Sequence, residues 1–275
     1  MMLRVLVMVF LCVPHIALAD SRHERDPLLV AHRGLMEHAP ENTLPAFIAC
    51  ATLGFGIELD VYTTADGHLV VTHNGTPVRT AGGPNRRIGE MTLDELRELD
   101  AGSWFDARFA GVGIPTFEES LAAIRQHRRQ PTILAINIKG VPRERERDLV
   151  ELVERYELLD ESFAFDQDEA MSRRLKAINP RLRIGHTYRN PKQDMAELAA
   201  DELADVILLG WCPSAEQVAA LKSAGKQVIF NFAGPGEFRR HPPAWDGARN
   251  AGVDGIMTDF PIDCADHWRR ARSEP

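Results

Sequence analysis

The stretch ELDVYTTADGHLVVTH opens with two carboxylates, Glu58 and Asp60, and closes on His73. Alternate positions of an extended chain share one face, so both acids point the same way. Crowded together they repel unless a positive centre lies between them, and hard oxygen ligands of this kind suit Mg²⁺ or Ca²⁺. An imidazole beside them carries protons near neutral pH. Two further short runs add to the set: AHRG brings His32 and Arg33, and AINIKG brings Asn137 and Lys139. The Asn137 side-chain carbonyl can complete an oxygen set, whereas Arg33, a planar fork, and Lys139, a point charge, suit an anion beside the metal. The chemistry this combination suits is phosphoryl transfer. Singly, each residue has a structural alternative: His32 a core histidine, Glu58 with Lys139 a buried ion pair, Asn137 a backbone hydrogen-bonder. Their joint placement on neighbouring strand ends is what favours chemistry.

Those strand ends follow from the hydrophobic pattern. Runs rich in Val, Ile and Leu alternate with helical patterns along the chain, which indicates parallel strands crossed by helices. Eight strands are expected, at Leu28–Ala31, Ile57–Tyr62, Thr132–Lys139, Phe163–Asp166, Leu182–Thr187, Val206–Gly210, Gln227–Phe232 and Gly255–Thr258. Between the first two, Leu44, Phe47, Ile48 and Ala51 form a helical stripe with Asn42 as cap, ended by Gly54 and Gly56. Later stripes run through Leu149, Leu152, Val153 and Tyr156, and through Val218, Leu221 and Ala224. The expected fold is an α/β (β/α)8 TIM barrel, whose chemistry gathers at the C-terminal strand ends.

His68 to His73 breaks the alternation, because a parallel crossover needs a dozen or more residues and only a few precede this run. Asp66-Gly67 is a two-residue hairpin signature. The run is therefore expected to return antiparallel, pairing Ala65 with His68 and Asp60 with His73, so that His73 folds back toward both carboxylates. A one-residue slip in that register would turn His73 away. A small helical insertion, about residues 75–117, follows; its Ile88 to Phe117 part holds TLDELREL and the aromatics Trp104, Phe105 and Phe109, before a helix at Glu118–Gln126.

The 275 residues carry a formal net charge of −8, so no global basic field exists to attract nucleic acid. MMLRVLVMVFLCVPHIALAD has one basic residue, an apolar run and small residues at Ala17 and Ala19. It reads as a signal peptide, cleaved after Ala19, that exports a single mature domain, 20–275, to the periplasm or medium. The run is broken by Pro14 and His15 and is too short for a stable membrane anchor. Cys50, Cys212 and Cys264 lack metal-type spacing and read as small buried thiols, although an exported chain could join two of them. Oligomeric state leaves no trace.

AHRG at 31–34, APENT at 39–43, ELDV at 58–61, TADGHLVVTH at 64–73 and GVDGIMTDFP at 252–261 together resemble the glycerophosphodiester phosphodiesterase family. The resemblance covers nearly the whole mature chain. It implies a TIM barrel that hydrolyses glycerophosphodiesters to glycerol 3-phosphate and an alcohol, with a divalent metal, Mg²⁺ or Ca²⁺, as cofactor. By motif it makes His32 and His73 the acid/base pair, Glu58 and Asp60 metal ligands, and Arg33 and Lys139 phosphate contacts. Glu41 then orients the site near His32. Two departures stand out: Asn74 where the family has aspartate after the histidine, and Asn137 where it has a glutamate ligand. The first implies a weaker base at His73 and the second a weaker metal site.

On this reading one histidine takes a proton from the attacking oxygen and the other protonates the departing alkoxide, with the two roles and the attacker, water or the glycerol hydroxyl, left open. Trp211, Tyr188 and Phe232, near strand ends, are expected to wall the alcohol pocket, with Trp211 the substrate contact. Two rival readings remain: a phospholipase of a related barrel family acting on a phospholipid head group, and a silenced barrel that only binds phosphoesters.

Overall fold

The computed structural model describes residues 26–233 and 240–273. The predicted leader, with its cleavage site at Ala19, lies outside the described residues. In chain order the elements are β1 (Leu28–Ala31), α1 (Leu44–Leu53), β2 (Gly56–Thr63), β3 (Leu69–Val71), α2 (Val78–Ala81), α3 (Leu93–Arg97), α4 (Phe117–His127), β4 (Leu134–Gly140) and α5 (Glu146–Arg155). They continue as β5 (Ser162–Phe165), α6 (Glu169–Ile178), β6 (Arg183–Tyr188), α7 (Met195–Ala199), β7 (Val206–Leu209), α8 (Ala215–Ser223), β8 (Gln227–Phe232), α9 (Pro242–Ala251), β9 (Gly255–Thr258) and α10 (Pro261–Ser273).

Eight of the strands are parallel, in the order β1-β9-β8-β7-β6-β5-β4-β2, and the sheet closes where Val30 pairs with Gly56 and Ala31 with Ile57. This is the expected (β/α)8 TIM barrel. The strand period of two explains its packing. Val30, Ala135, Phe163, Leu208, Ile229 and Met257 fill the barrel interior, whereas Ile57, Leu59, Val61, Ile136 and Ile138 face outward onto Phe47, Leu121 and Leu149 of the helices. A second outer cluster packs Ile207, Leu209, Val228 and Phe230 against Trp245 and Trp268. The insertion has its own small core, Ile88, Met91, Leu93 and Leu96 gathered on Val70 of β3, and Trp104, Phe105 and Phe109 form edge-on pairs within it.

Several expectations need correction. Thr43, not Asn42, is the N-cap of α1; the Asn42 side chain is spent on Asp60, to which its Nδ2 donates at 2.9 Å. Gly54 ends that helix in a left-handed conformation with φ 79°, but Gly56 already belongs to β2. The hairpin pairs Thr63 with Leu69 and Val61 with Val71, one residue away from the expected register, and the backbone N–H of Thr72 donates to the Asp60 carbonyl at 3.0 Å. Asp66 causes the slip. Its carboxylate accepts from the Thr64 hydroxyl at 2.6 Å and from the Leu93 backbone at 3.1 Å, so Ala65, Asp66 and Gly67 form a three-residue loop with Gly67 at φ 87°. Yet His73 is not turned away. β3 ends at Val71 and the chain bends after Thr72, which frees His73 from the sheet's alternation. Of the cysteines, Cys50 and Cys264 are buried as expected, while Cys212 is exposed; all three are free thiols.

Candidate active site

The alternation that fills the barrel with apolar side chains continues one step further at the C-terminal rim and becomes polar. Above Val30 stands His32, above Ala135 stands Asn137, above Ile229 stands Asn231, and above Met257 stands Asp259. Glu58 and Asp60 join them from β2, where Asp60 is in register with Asn137 of β4. A cavity of about 310 Å³ opens here, lined among others by His32, Arg33, Glu58, His73, Asn137 and Lys139. That volume is within the range of small-molecule sites. An adjoining groove of about 680 Å³ shares Lys139 and Asp166 with it.

Local backbone geometry sets the first strand's end. Arg33 sits at φ 56° and Gly34 at φ 83°, so the chain turns sharply as it leaves β1. A Cβ on Gly34 would come within 2.7 Å of the Ala46 Cβ, so only glycine lets α1 approach this closely. The turn directs the Arg33 backbone N–H at Glu58 Oε2, 2.8 Å away. It also delivers His32 to Asp259, with Nδ1 2.6 Å from Oδ1.

Three oxygens at the floor have no hydrogen-bond partner although they are buried: Glu58 Oε1, Asp60 Oδ1 and Asn137 Oδ1. An unpartnered buried acceptor is costly, and such groups in a native fold mark an absent ligand or water. Glu58 and Asp60 are fully buried. Burial, and then the Asp60 charge, push the Glu58 carboxyl up to about 7, against the opposing pull of His32 and Arg33. A divalent cation among these oxygens would relieve both the unmet bonding and the repulsion. The fit rests on two carboxylates and an amide, for no group of three or more His, Cys, Asp or Glu side chains placed to hold a metal occurs among the described residues.

The two histidines differ. Burial pulls the His32 imidazole down, but the Glu58 charge and the Asp259 hydrogen bond outweigh it, and its net shift is upward. Burial, with Arg33 and Lys139 behind it, depresses His73 despite attraction from Asp60. His73 Nδ1 is 3.5 Å from Asn74 Oδ1, a weak orienting contact.

The cations are less open than expected. Arg33 Nη1 donates to Glu41 Oε1 at 3.2 Å, and its Nε lies 3.8 Å from Asp60 Oδ2. Lys139 Nζ stands 3.7 Å from Asp60 Oδ1. Glu41, expected to orient the site near His32, joins Arg33 to Arg79, whose Nη1 donates to Glu41 Oε2 at 2.8 Å. Arg79 Nε in turn donates to Asn74 Oδ1 at 2.8 Å. Asn74 thus links the His73 turn to the Arg33 anchor through Arg79.

The structure places Trp211 elsewhere: it is not among the residues lining the cavity, packs in the outer core and donates from Nε1 to Gln217 at 3.4 Å. Tyr188 and Phe232 also pack outward, Tyr188 donating to Asp201 at 3.1 Å. The opposite wall is polar instead, with Asp166, Arg189 and Asn231. Sequence reasoning missed these, and it missed Asp259, Asn42 and Arg79. Asp259 was within reach, since it directly follows the last strand and barrel closure makes that strand a neighbour of β1. Arg79 carried no signal, because its partner Glu41 belongs to a different loop.

The sequence profile of the glycerophosphoryl diester phosphodiesterase family matches residues 32–263. A glycerophosphodiester phosphodiesterase of Caldanaerobacter subterraneus is 36% identical over 170 residues, 59% of this chain and 67% of the relative. The crystal structure of a glycerophosphodiester phosphodiesterase from Agrobacterium tumefaciens superposes with a TM-score of 0.72 at 28% identity, covering 87% of this chain and 99% of that one. An Oleispira antarctica phosphodiesterase, solved with its product sn-glycerol-3-phosphate, shares the fold at 23% identity and a TM-score of 0.71, over 90% of this chain and 99% of its own. Fold and likeness define a phosphoric diester hydrolase built on a βα barrel. The chain belongs to the glycerophosphoryl diester phosphodiesterase family.

Proposed function

We propose that this chain hydrolyses glycerophosphodiesters to glycerol 3-phosphate and an alcohol, with His32 and His73 as its proton carriers. The observation that carries the reading is one cavity wall holding two imidazoles of opposite charge preference above three buried oxygens that make no hydrogen bond. The product bound by the Oleispira antarctica phosphodiesterase supports the substrate class.

Glu58, Asp60 and Asn137 are the residues that would hold a divalent cation, Mg²⁺ or Ca²⁺, and it would supply positive charge to the phosphoryl oxygens. Lys139 and Arg33 add their own charge to the anionic diester, Arg33 held in place by Glu41. Burial, with Arg33 and Lys139 beside it, favours neutral His73, ready to accept the proton of the attacking oxygen. His32 is gripped at Nδ1 by Asp259, whose carboxylate favours the imidazolium. It delivers its proton to the departing alkoxide. Asp259 also fixes the His32 ring, so the second ring nitrogen is the one left to work. The leader Met1–Ala19 extends the proposal to an exported enzyme, which N-terminal sequencing of the secreted protein checks.

The test is release of glycerol 3-phosphate from glycerophosphodiesters by the purified chain, with Mg²⁺ or Ca²⁺ and after chelation. A cyclic glycerol phosphate appearing first would assign the attack to the glycerol hydroxyl. Head-group release from intact phospholipid vesicles at a comparable rate would overturn the substrate assignment in favour of a phospholipase. Tight binding of diester without turnover, in any metal, would overturn the catalytic reading.

A further inference from the structure

The cavity has two dissimilar walls. Its histidines and floor oxygens come from the ends of β1, β2, the hairpin and β4, while the facing wall comes from β5, β6 and β8. A diester phosphate lodged by Lys139 leaves its substituents to cross toward that second wall. There Arg189 stands just past the end of β6. It lines the cavity, yet among the described residues it makes no hydrogen bond or ion pair with any acid, in contrast to Arg33 and Lys139, which both have carboxylates beside them. Its stem is seated: a Cβ added to Gly210, at the end of β7, would lie 3.5 Å from the Arg189 Cγ. Gly210 is itself pinned to β6 by its N–H donating to the Tyr188 carbonyl at 2.8 Å.

Neighbouring groups on this wall do not cancel that charge. The Asp166 carboxylate accepts from the Thr187 hydroxyl at 3.0 Å and, among the described residues, has no cation within ion-pair distance. Asn231 is neutral. A trimethylammonium group needs several aromatic faces around it, and the rings at these strand ends, Tyr188, Trp211 and Phe232, turn to the outer core. Phe165 is the one aromatic side chain lining the cavity among the described residues.

We propose that Arg189 is a specificity-determining residue whose guanidinium selects diesters with an anionic group, a carboxylate or phosphate, on the leaving alcohol and disfavours quaternary ammonium alcohols. The assignment rests on the phosphodiesterase reading given above. Arginine's five donors suit both carboxylate and phosphate by the same forked geometry. Among the described residues no acid is paired with Arg189, so an incoming anion displaces no ion pair there.

The experiment compares kcat/KM of the full chain on three glycerophosphodiesters that differ in the charge of the alcohol: 3-hydroxypropionate, glycerol and choline. The wild type is expected to rank them in that order. Arg189→Met should lower the ratio of the 3-hydroxypropionate to the choline diester about tenfold or more, the loss of one charge-assisted hydrogen bond. Arg189→Lys, which keeps the charge, should restore most of that ratio, and Arg189→Glu should invert the ranking. Because Arg189 is exposed, these variants keep the barrel packing, and their thermal midpoints verify it. An unchanged ratio in Arg189→Met overturns the proposal. So does a parallel fall on all three diesters, which would make Arg189 a further phosphate contact. If the wild type cleaves none of the three, the phosphodiesterase reading fails first and this proposal falls with it.

Discussion

The two halves of the barrel mouth are built to opposite rules. On the histidine side nearly every polar atom is committed: Asp259 to His32, Glu41 to Arg33 and Arg79, Asn42 to Asp60. The exceptions among the buried atoms there are the three floor oxygens and Arg33 Nε. On the facing side Arg189 has no hydrogen-bond or ion-pair partner among the described residues. Chemistry demands fixed positions, because a misplaced proton carrier loses its advantage, and a dense network fixes rotamers. Discrimination among substrates needs unmet bonding capacity that the correct ligand fills. Under the proposed roles, commitment on one side and open bonding capacity on the other divide catalysis from selection.

Removing the proton carriers should show the largest effect on that comparison. His73→Ala and His32→Ala are each expected to lower kcat about 10²–10⁴-fold, measured as glycerol 3-phosphate release. Thermal unfolding should shift little for His73→Ala, because that ring is only half-buried and outside the strand ladder. Retention of most activity in both variants would erase the distinction between the two halves. Next in size is the floor. Asn137→Glu adds a third charge to a site with two, and should tighten divalent-cation binding by about tenfold or more, since ligand charge tunes affinity. Calorimetric titration of Mg²⁺ and Ca²⁺ reads this without turnover. Equal affinity in both proteins would mean that Asn137 faces no cation.

Most of the fold was open to sequence reading because it depends on periodicity. Eight strand positions came from apolar runs, and the polar step at their ends came from the same alternation, so Glu58, Asp60 and Asn137 could be placed without coordinates. The failures share a cause. The hairpin register turned on whether Asp66 would be drawn to Thr64 and to the start of α3, a contact across many residues that local turn chemistry does not contain. The same holds for Asn42, diverted from capping α1 by Asp60. Trp211 failed differently. Strand-end position was read as facing inward, but Gly210 holds the inward step of β7, and the next residue points out.

Asp259 gives a prediction of intermediate size that separates positioning from packing. The depressed His73 must be neutral to act as base, so kcat/KM should fall on the acid side below its ordinary imidazole range. The raised His32 must be protonated to act as acid, which sets the alkaline limb above that range. Asp259→Asn removes a group that raises His32, so the alkaline limb should move to lower pH while the acid limb stays, with an overall loss of about 10–100-fold. Loss of activity with an unmoved pH profile would reduce Asp259 to a structural role.

The smallest effect should come from the aromatic that strand-end position alone would have put in the pocket. Trp211 is partly buried against the outer core, and its indole N–H reaches Gln217 at 3.4 Å, a long bond. Trp211→Phe keeps most of the apolar contact and gives up that bond, so stability should fall by about 1 kcal/mol at most. The ratios of kcat/KM among the anionic, neutral and cationic diesters should stay within about twofold, because a side chain outside the cavity has no differential contact with the alcohol. A marked change in those ratios would mean that β7 contributes an aromatic wall when substrate is bound, and the contrast between a networked half and a vacant half would have to be redrawn with Trp211 closing the gap beside Arg189.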